Sequence, residues 1–163
     1  MRRRLISAAL GAVACYGGCG FDGIATLPAP LARVCLDFSA SGFPADWQQI
    51  VYNHMVVDFS DYGYRVTFHD LDTCDYRIIL GGDDERYWGL ARPAERVAWV
   101  YTDAIAKWAQ HLDANAYLQG VANATAHEFG HLIGRSHSDD STDVMSVPED
   151  ATVRFHEDLV FRP

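Results

Sequence analysis

The run His127-Glu128-Phe129-Gly130-His131-Leu132-Ile133-Gly134-Arg135-Ser136-His137 constrains this chain more than any other feature. It reads H-E-x-x-H-x-x-G-x-x-H, and each fixed position makes a separate demand. Histidines four apart lie one turn apart on one helix face, so His127 and His131 can grip a single metal ion. Gly134 falls where such a helix must stop, and a residue without Cβ can take the left-handed conformation that a sharp helix end needs. The turn brings His137 back as a third ligand. Zinc suits this donor set, because it accepts imidazole nitrogens at short distance in a near-tetrahedral shell. Glu128 stands beside the first ligand, placed to reach a water at the metal rather than the metal itself. Three protein ligands with one position left for water mark a catalytic zinc site, not a structural one.

The five-residue core of the motif can arise by chance on an exposed helix, as two solvated histidines. The added Gly134 and His137 make that reading much weaker. A second, independent signal lies downstream. Val144-Met145-Ser146 places a methionine eight residues after His137, behind the polar, turn-prone stretch 138–143. In these features the chain resembles the metzincins, zinc endopeptidases that pair the long motif with a Met-containing turn. The resemblance implies one zinc ion held by His127, His131 and His137, with Met145 as an apolar floor beneath them. It also implies hydrolysis of peptide bonds through a metal-activated water, with Glu128 as general base, on a protein or peptide substrate.

Within that clan, His137-Ser138-Asp139 and the His-to-Met spacing are most similar to matrixins and their small bacterial relatives. There are departures. Ser146 stands where matrixins carry Tyr, and Val147 stands where astacin-like and serralysin-like members carry a Tyr that can swing onto the metal. The cysteine-rich run that archaeal-type metzincins add after the third His is absent from this sequence. For the matrixin structural zinc, His69-Asp70 is the one echo, and it reads more simply as surface residues on a strand. A calcium ion stays open as a second cation with no residue assigned to it. Retention of Glu128 argues against a zinc-bearing binding module that has lost turnover. A hydrolase of small amides is the other alternative.

The remaining sequence sets the frame. At 163 residues, the chain is long enough for one domain with a sizeable core. Its 49% hydrophobic and 21% charged residues fit a folded rather than a disordered protein. A net charge of −9 argues against a nucleic-acid partner. Arg2-Arg3-Arg4 ahead of the apolar run 5–14 has the charged and hydrophobic regions of a secretory signal, so residues 1–18 are expected to be an export segment. Cys15 and Cys19 each follow small residues and offer two degraded lipoprotein cleavage boxes. Ordinary secretion and membrane anchorage through a lipidated Cys15 or Cys19 both stay open, and either puts the chain outside the cytoplasm. Residues 19–33, ending near Leu27-Pro28-Ala29-Pro30, read as an extended linker.

Residues 34–163 are expected to form the catalytic domain. The pattern is α+β: strands over 33–38, 64–68, 76–80 and 97–101, a helix opened by Pro44 with Trp47, Ile50, Val51, Met55 and Phe59 on one face, and a second from about Ala116 to Gly134. Residues 83–96 read as a charged loop at the cleft's lip, and 104–115 as a possible short helix. The metzincin resemblance implies a twisted, mainly parallel five-stranded sheet with two long helices and a small C-terminal lobe. It further implies that 97–101 is an antiparallel edge on which a peptide lies extended, that Ser146-Val147-Pro148 wall the main specificity pocket, and that 155–160 form a shortened closing helix. A monomer is expected. Cys35 and Cys74 are the two cysteines of the folded body, and the metzincin plan sets their strands side by side. An exported protein would pair them, while two buried free thiols are the alternative.

Overall fold

Five residues in succession, Val34 to Phe38, are buried in the first strand, β1 (Ala32–Ala40), so both of its faces are covered. That pattern belongs to the interior of a parallel sheet. The computed structural model describes residues 31–147 together with Phe155, Leu159 and Phe161. In it β1 joins β2 (Tyr64–Thr67), β3 (Tyr76–Gly81), β4 (Gly89–Arg92) and β5 (Val97–Val100) in the order β2-β1-β3-β5-β4. β1 runs parallel to β2 and β3, and β3 parallel to β5, while β4 is antiparallel to β5. The expected α+β architecture with a mainly parallel five-stranded sheet is therefore present. Asp37, buried in β1, pairs across the sheet with Arg77. Burial pushes its carboxyl up, but hydrogen bonds from Arg77 and Ser39 outweigh that and hold it below the ordinary carboxylate value.

Two long helices, α1 (Ala45–Phe59) and α3 (Ala114–Leu132), pack on each other and against the sheet, with the short α2 (Thr102–Trp108) between them in sequence. α1 follows Pro44 and buries Val51, Met55 and Phe59, spaced four apart. α3 starts two residues earlier than its apolar pattern suggests, because Asp113 caps it: its carboxylate accepts the Ala116 N–H at 2.9 Å. The helix is buried on nearly all sides from Leu118 to Leu132. Its rotation about its own axis is fixed by Phe129, which lies two residues from both His127 and His131 and so on the opposite face. That ring meets Phe59, Tyr64 and Tyr76 edge-on, at centroid distances of 4.8, 5.0 and 5.5 Å. The aromatic cluster holds one face of α3 in the core and thereby turns the histidine face away from it.

Two expectations are corrected. Residues 83–96 are not simply a loop, since Gly89-Leu90-Ala91-Arg92 form β4. Residues 97–101 are not the antiparallel edge, since β5 lies inside the sheet, parallel to β3, and β4 is the edge strand. The physical reason is that edge strands are short and interrupted by charge, Gly and Pro, so their sequences resemble loops. Beyond Val147, Phe155, Leu159 and Phe161 are buried, and Phe161 packs on Phe59 at 4.5 Å. The rest of the expected closing helix and lower lobe lies outside the described residues, as do the export segment 1–18 and residues 19–30 of the linker.

Cys35 in β1 and Cys74, just before β3, form a disulfide with their Cα atoms 5.7 Å apart. The bridge closes a loop across 39 positions, which by chain-entropy reasoning stabilises the fold by about 4 kcal/mol. Cys74→Ser is accordingly expected to lower the melting temperature by roughly 10–15 °C. Thermal unfolding under non-reducing conditions checks this, and a shift of no more than a degree or two would contradict it.

Candidate active site

The helix that carries His127 and His131 ends at Leu132, and the chain reverses at Gly134, whose φ is +89°. The Arg135 N–H donates to the Gly130 carbonyl at 2.9 Å and closes the turn. His137 thereby returns to the histidine face of α3. His127 Nε2 lies 3.1 Å from His131 Nε2, which in turn lies 3.2 Å from His137 Nε2. Among the described residues, this is the one group of three potential ligands gathered within 4.8 Å. His69, the echo of a second zinc site, lies tilted against Phe68 with ring centroids 4.2 Å apart and belongs to no such group.

The outer nitrogens of the rings decide what the inner ones can do. His127 Nδ1 donates to the Val144 carbonyl at 2.8 Å, and His131 Nδ1 donates to the Arg135 carbonyl at 2.9 Å. A carbonyl oxygen only accepts, so each Nδ1 carries a proton, and in the neutral imidazole Nε2 is then the nitrogen that presents a lone pair. Two lone pairs at 3.1 Å repel unless a cation lies between them. Zinc–nitrogen bonds of about 2.0–2.1 Å at tetrahedral angles place neighbouring nitrogens about 3.3 Å apart, so the triad fits that ion. Hydrogen bonds that fix the tautomer are the usual support of a histidine metal ligand.

Met145 is fully buried, and its sulfur presses on Gly130 in the middle of the motif, where even a β-carbon would overlap it. Met145 thus packs against the helix segment between His127 and His131. Ser138 N–H donates to the Met145 carbonyl at 3.1 Å, tying this turn to the residue after His137. Of the expected pocket wall, Val147 lines the cleft, Ser146 is buried, and Pro148 lies outside the described residues.

Glu128 is 8% exposed and faces the cleft between α3 and β4. Sequence reasoning missed its neighbour. A β-carbon at Gly89, the first residue of β4, would stand 2.5 Å from Glu128 Oε1 and Cγ. Gly89 therefore leaves the space in which this carboxylate lies, and no motif signals it. Gly89→Ala is expected to push the flexible carboxylate aside with little loss of stability. Displacements near 1 Å cost about 100-fold in rate, and this is the fall expected in any turnover that Glu128 supports. Parallel measurement of kcat and of the melting temperature checks it, and unchanged kcat would contradict it.

The cleft itself measures about 920 Å³ and is lined by β4, the triad, Glu128 and Trp108. Tyr87, Leu90, Trp108 and Val147 line it, four of the seven large apolar side chains left exposed among the described residues. Edge strand, carboxylate and triad share this one concave surface. Chemically it offers three imidazole nitrogens able to hold a metal ion, a carboxylate on the same surface, and, among the described residues, the edge strand of the sheet beside apolar side chains.

No family profile matches the chain, and no match is found among curated proteins. The fold is similar to solved structures of archaeal zinc peptidases. An archaemetzincin from Methanopyrus kandleri superposes with a TM-score of 0.60 at 19% identity, covering 83% of this chain and 92% of that one. A zinc-dependent peptidase from Methanocorpusculum labreanum gives 0.59 at 16% identity over 76% of this chain and 92% of that one. An archaemetzincin from Archaeoglobus fulgidus, complexed with malonate, gives 0.54 at 12% identity over 80% of this chain and 95% of that one. At such identities the likeness speaks to the fold.

Proposed function

We propose that this chain is a zinc-dependent endopeptidase of metzincin type. The observation that carries the reading is the convergence of three histidine Nε2 atoms beside Glu128, in a cleft bordered by the free edge of β4. Likeness in fold to archaemetzincins and to a zinc-dependent peptidase supports it. Residues 137–139 and the spacing to Met145 favour a matrixin-like variant of the fold, although two of the three similar structures are archaemetzincins. The chain has no cysteine after His137 with which to build the archaeal cysteine-rich run.

His127, His131 and His137 would hold one zinc ion. Bound zinc supplies a Lewis acid that polarises carbonyl oxygens and makes water more acidic near neutral pH. The chain's own groups perform the rest. The open edge of β4 takes an extended peptide by main-chain hydrogen bonds, which gives affinity without demanding a particular sequence. Tyr87, Leu90, Trp108 and Val147 receive apolar side chains of that peptide and exclude water. Glu128 takes a proton from the attacking water and passes it to the leaving amine nitrogen. Neither Ser146 nor Val147 supplies a tyrosine hydroxyl, so no side chain at these positions shares the developing negative charge.

Digestion of a defined peptide library by zinc-loaded protein, read by mass spectrometry, tests the reading. Internal cleavage with apolar residues enriched near the cut is expected. Release of terminal residues alone, or no cleavage, would contradict it. Export is part of the proposal, motivated by Arg2-Arg3-Arg4 and the apolar run after them. The intact mass of native protein should lack at least residues 1–14, and added acyl mass at Cys15 or Cys19 would identify the anchored form.

A further inference from the structure

Arg135 lies between the second and third histidines, and its two ends face different partners. Its carbonyl accepts from His131 Nδ1 at 2.9 Å, while its guanidinium Nη2 donates to Asp143 Oδ2 at 3.1 Å. Asp143 is only 2% exposed, and it organises the turn that leads to Met145. Its Oδ1 accepts the Met145 N–H at 2.9 Å, and its carbonyl accepts the Ser146 N–H at 2.9 Å. That turn presents the Val144 carbonyl to His127 Nδ1 at 2.8 Å and sets Met145 against Gly130. One ion pair therefore joins the two segments that orient two of the three histidines. The guanidinium also lies over the Phe161 ring at 5.3 Å, which steadies it from below.

We infer that the Arg135–Asp143 pair is a positioning clasp for the metal centre. It holds the Arg135 and Val144 carbonyls in register, so that both rings carry Nδ1–H and aim Nε2 inward before a cation arrives. The H-E-x-x-H-x-x-G-x-x-H pattern demands neither residue, because Arg135 occupies one of its variable positions and Asp143 lies outside it. The physical reason for the effect is twofold. A carboxylate this deeply buried is costly without its cation, so loss of Arg135 forces the turn to rearrange. Supports of metal-ligating histidines, once lost, typically weaken metal binding by about 10–100-fold. Neither side chain takes part in the reaction, and both act through His127 and His131. The inference rests on the reading of the triad as a zinc site.

The test measures zinc dissociation constants by competition with a chromophoric chelator, together with the visible spectrum of the cobalt(II)-loaded protein. Wild type is compared with Arg135→Gln, Asp143→Asn, their double variant and Arg135→Lys. Each of the first two is expected to weaken zinc binding by about 10–100-fold and to shift the cobalt bands. The double variant should bind no more weakly than the worse single one, as for residues that act as a unit. Arg135→Lys should recover most of the affinity. If Arg135→Gln fails to fold, Asp143→Asn carries the test, because its amide oxygen can still accept from the Met145 N–H. Overturning results are unchanged affinity and spectrum, losses that multiply in the double variant, or a lysine no better than glutamine. A lower melting temperature of the metal-free protein with unchanged zinc affinity would assign the pair to the fold alone. Wild type that binds no zinc would overturn the metal-centre reading itself, whereas wild type that binds it alongside indifferent variants overturns only the clasp.

Discussion

Replacing Glu128 by Gln is expected to leave zinc bound and the fold intact while lowering kcat by about 100- to 10,000-fold. The amide has the shape of the carboxylate and fits the space that Gly89 leaves, so packing gives no reason for unfolding. The basic oxygen that would take a proton from water is lost, and none of the three histidines can replace it, since their inner nitrogens face one another at 3.1 and 3.2 Å. An interaction made in the transition state alone lowers kcat and kcat/KM together, and KM should therefore move little. Steady-state kinetics of the zinc-loaded variant checks the role. Turnover within a few-fold of wild type would remove Glu128 from the mechanism.

The second large effect concerns His131. Its Nε2 stands between those of His127 and His137, so removal of this ring leaves two ligands that no longer share a neighbour. His131→Ala is expected to abolish tight zinc binding, and with it all peptide hydrolysis. It should also abolish a stability effect. A ligand that binds only the folded chain stabilises it by about 4 kcal/mol at a thousandfold excess over its dissociation constant. Added zinc should therefore raise the melting temperature of wild type and leave that of His131→Ala unchanged. Equal shifts in both proteins would place the zinc elsewhere.

The parts of this site that were legible in sequence are those where chemistry fixes residue type and spacing together. His127, His131 and His137 must be imidazoles at intervals set by a helix turn and a reversal, and Gly134 must tolerate a positive φ. Met145 was legible because its distance from His137 is set by the loop that returns it against Gly130. Cys35 and Cys74 were legible as a pair once the sheet order was expected. What stayed hidden depends on contacts between segments distant in sequence. Gly89 looks like any loop glycine until β4 is laid over Glu128, 39 positions away. β4 itself has only four residues, flanked by charge and proline, so it read as loop, and the edge that the metzincin resemblance implies was placed on 97–101 instead. Arg135 and Asp143 are ordinary charged residues in a polar stretch, and their pairing appears only when the turn closes. Asp113 shows the same point in miniature, since a helix cap precedes the apolar pattern from which helices are read.

The most direct measurement is the rate of internal peptide cleavage as zinc is titrated into metal-free protein, with bound zinc counted per chain. The account expects no cleavage without metal, a linear rise up to one bound zinc per chain, and no further rise beyond it. Cleavage that persists in the metal-free protein, or its absence when one zinc is bound, would contradict it.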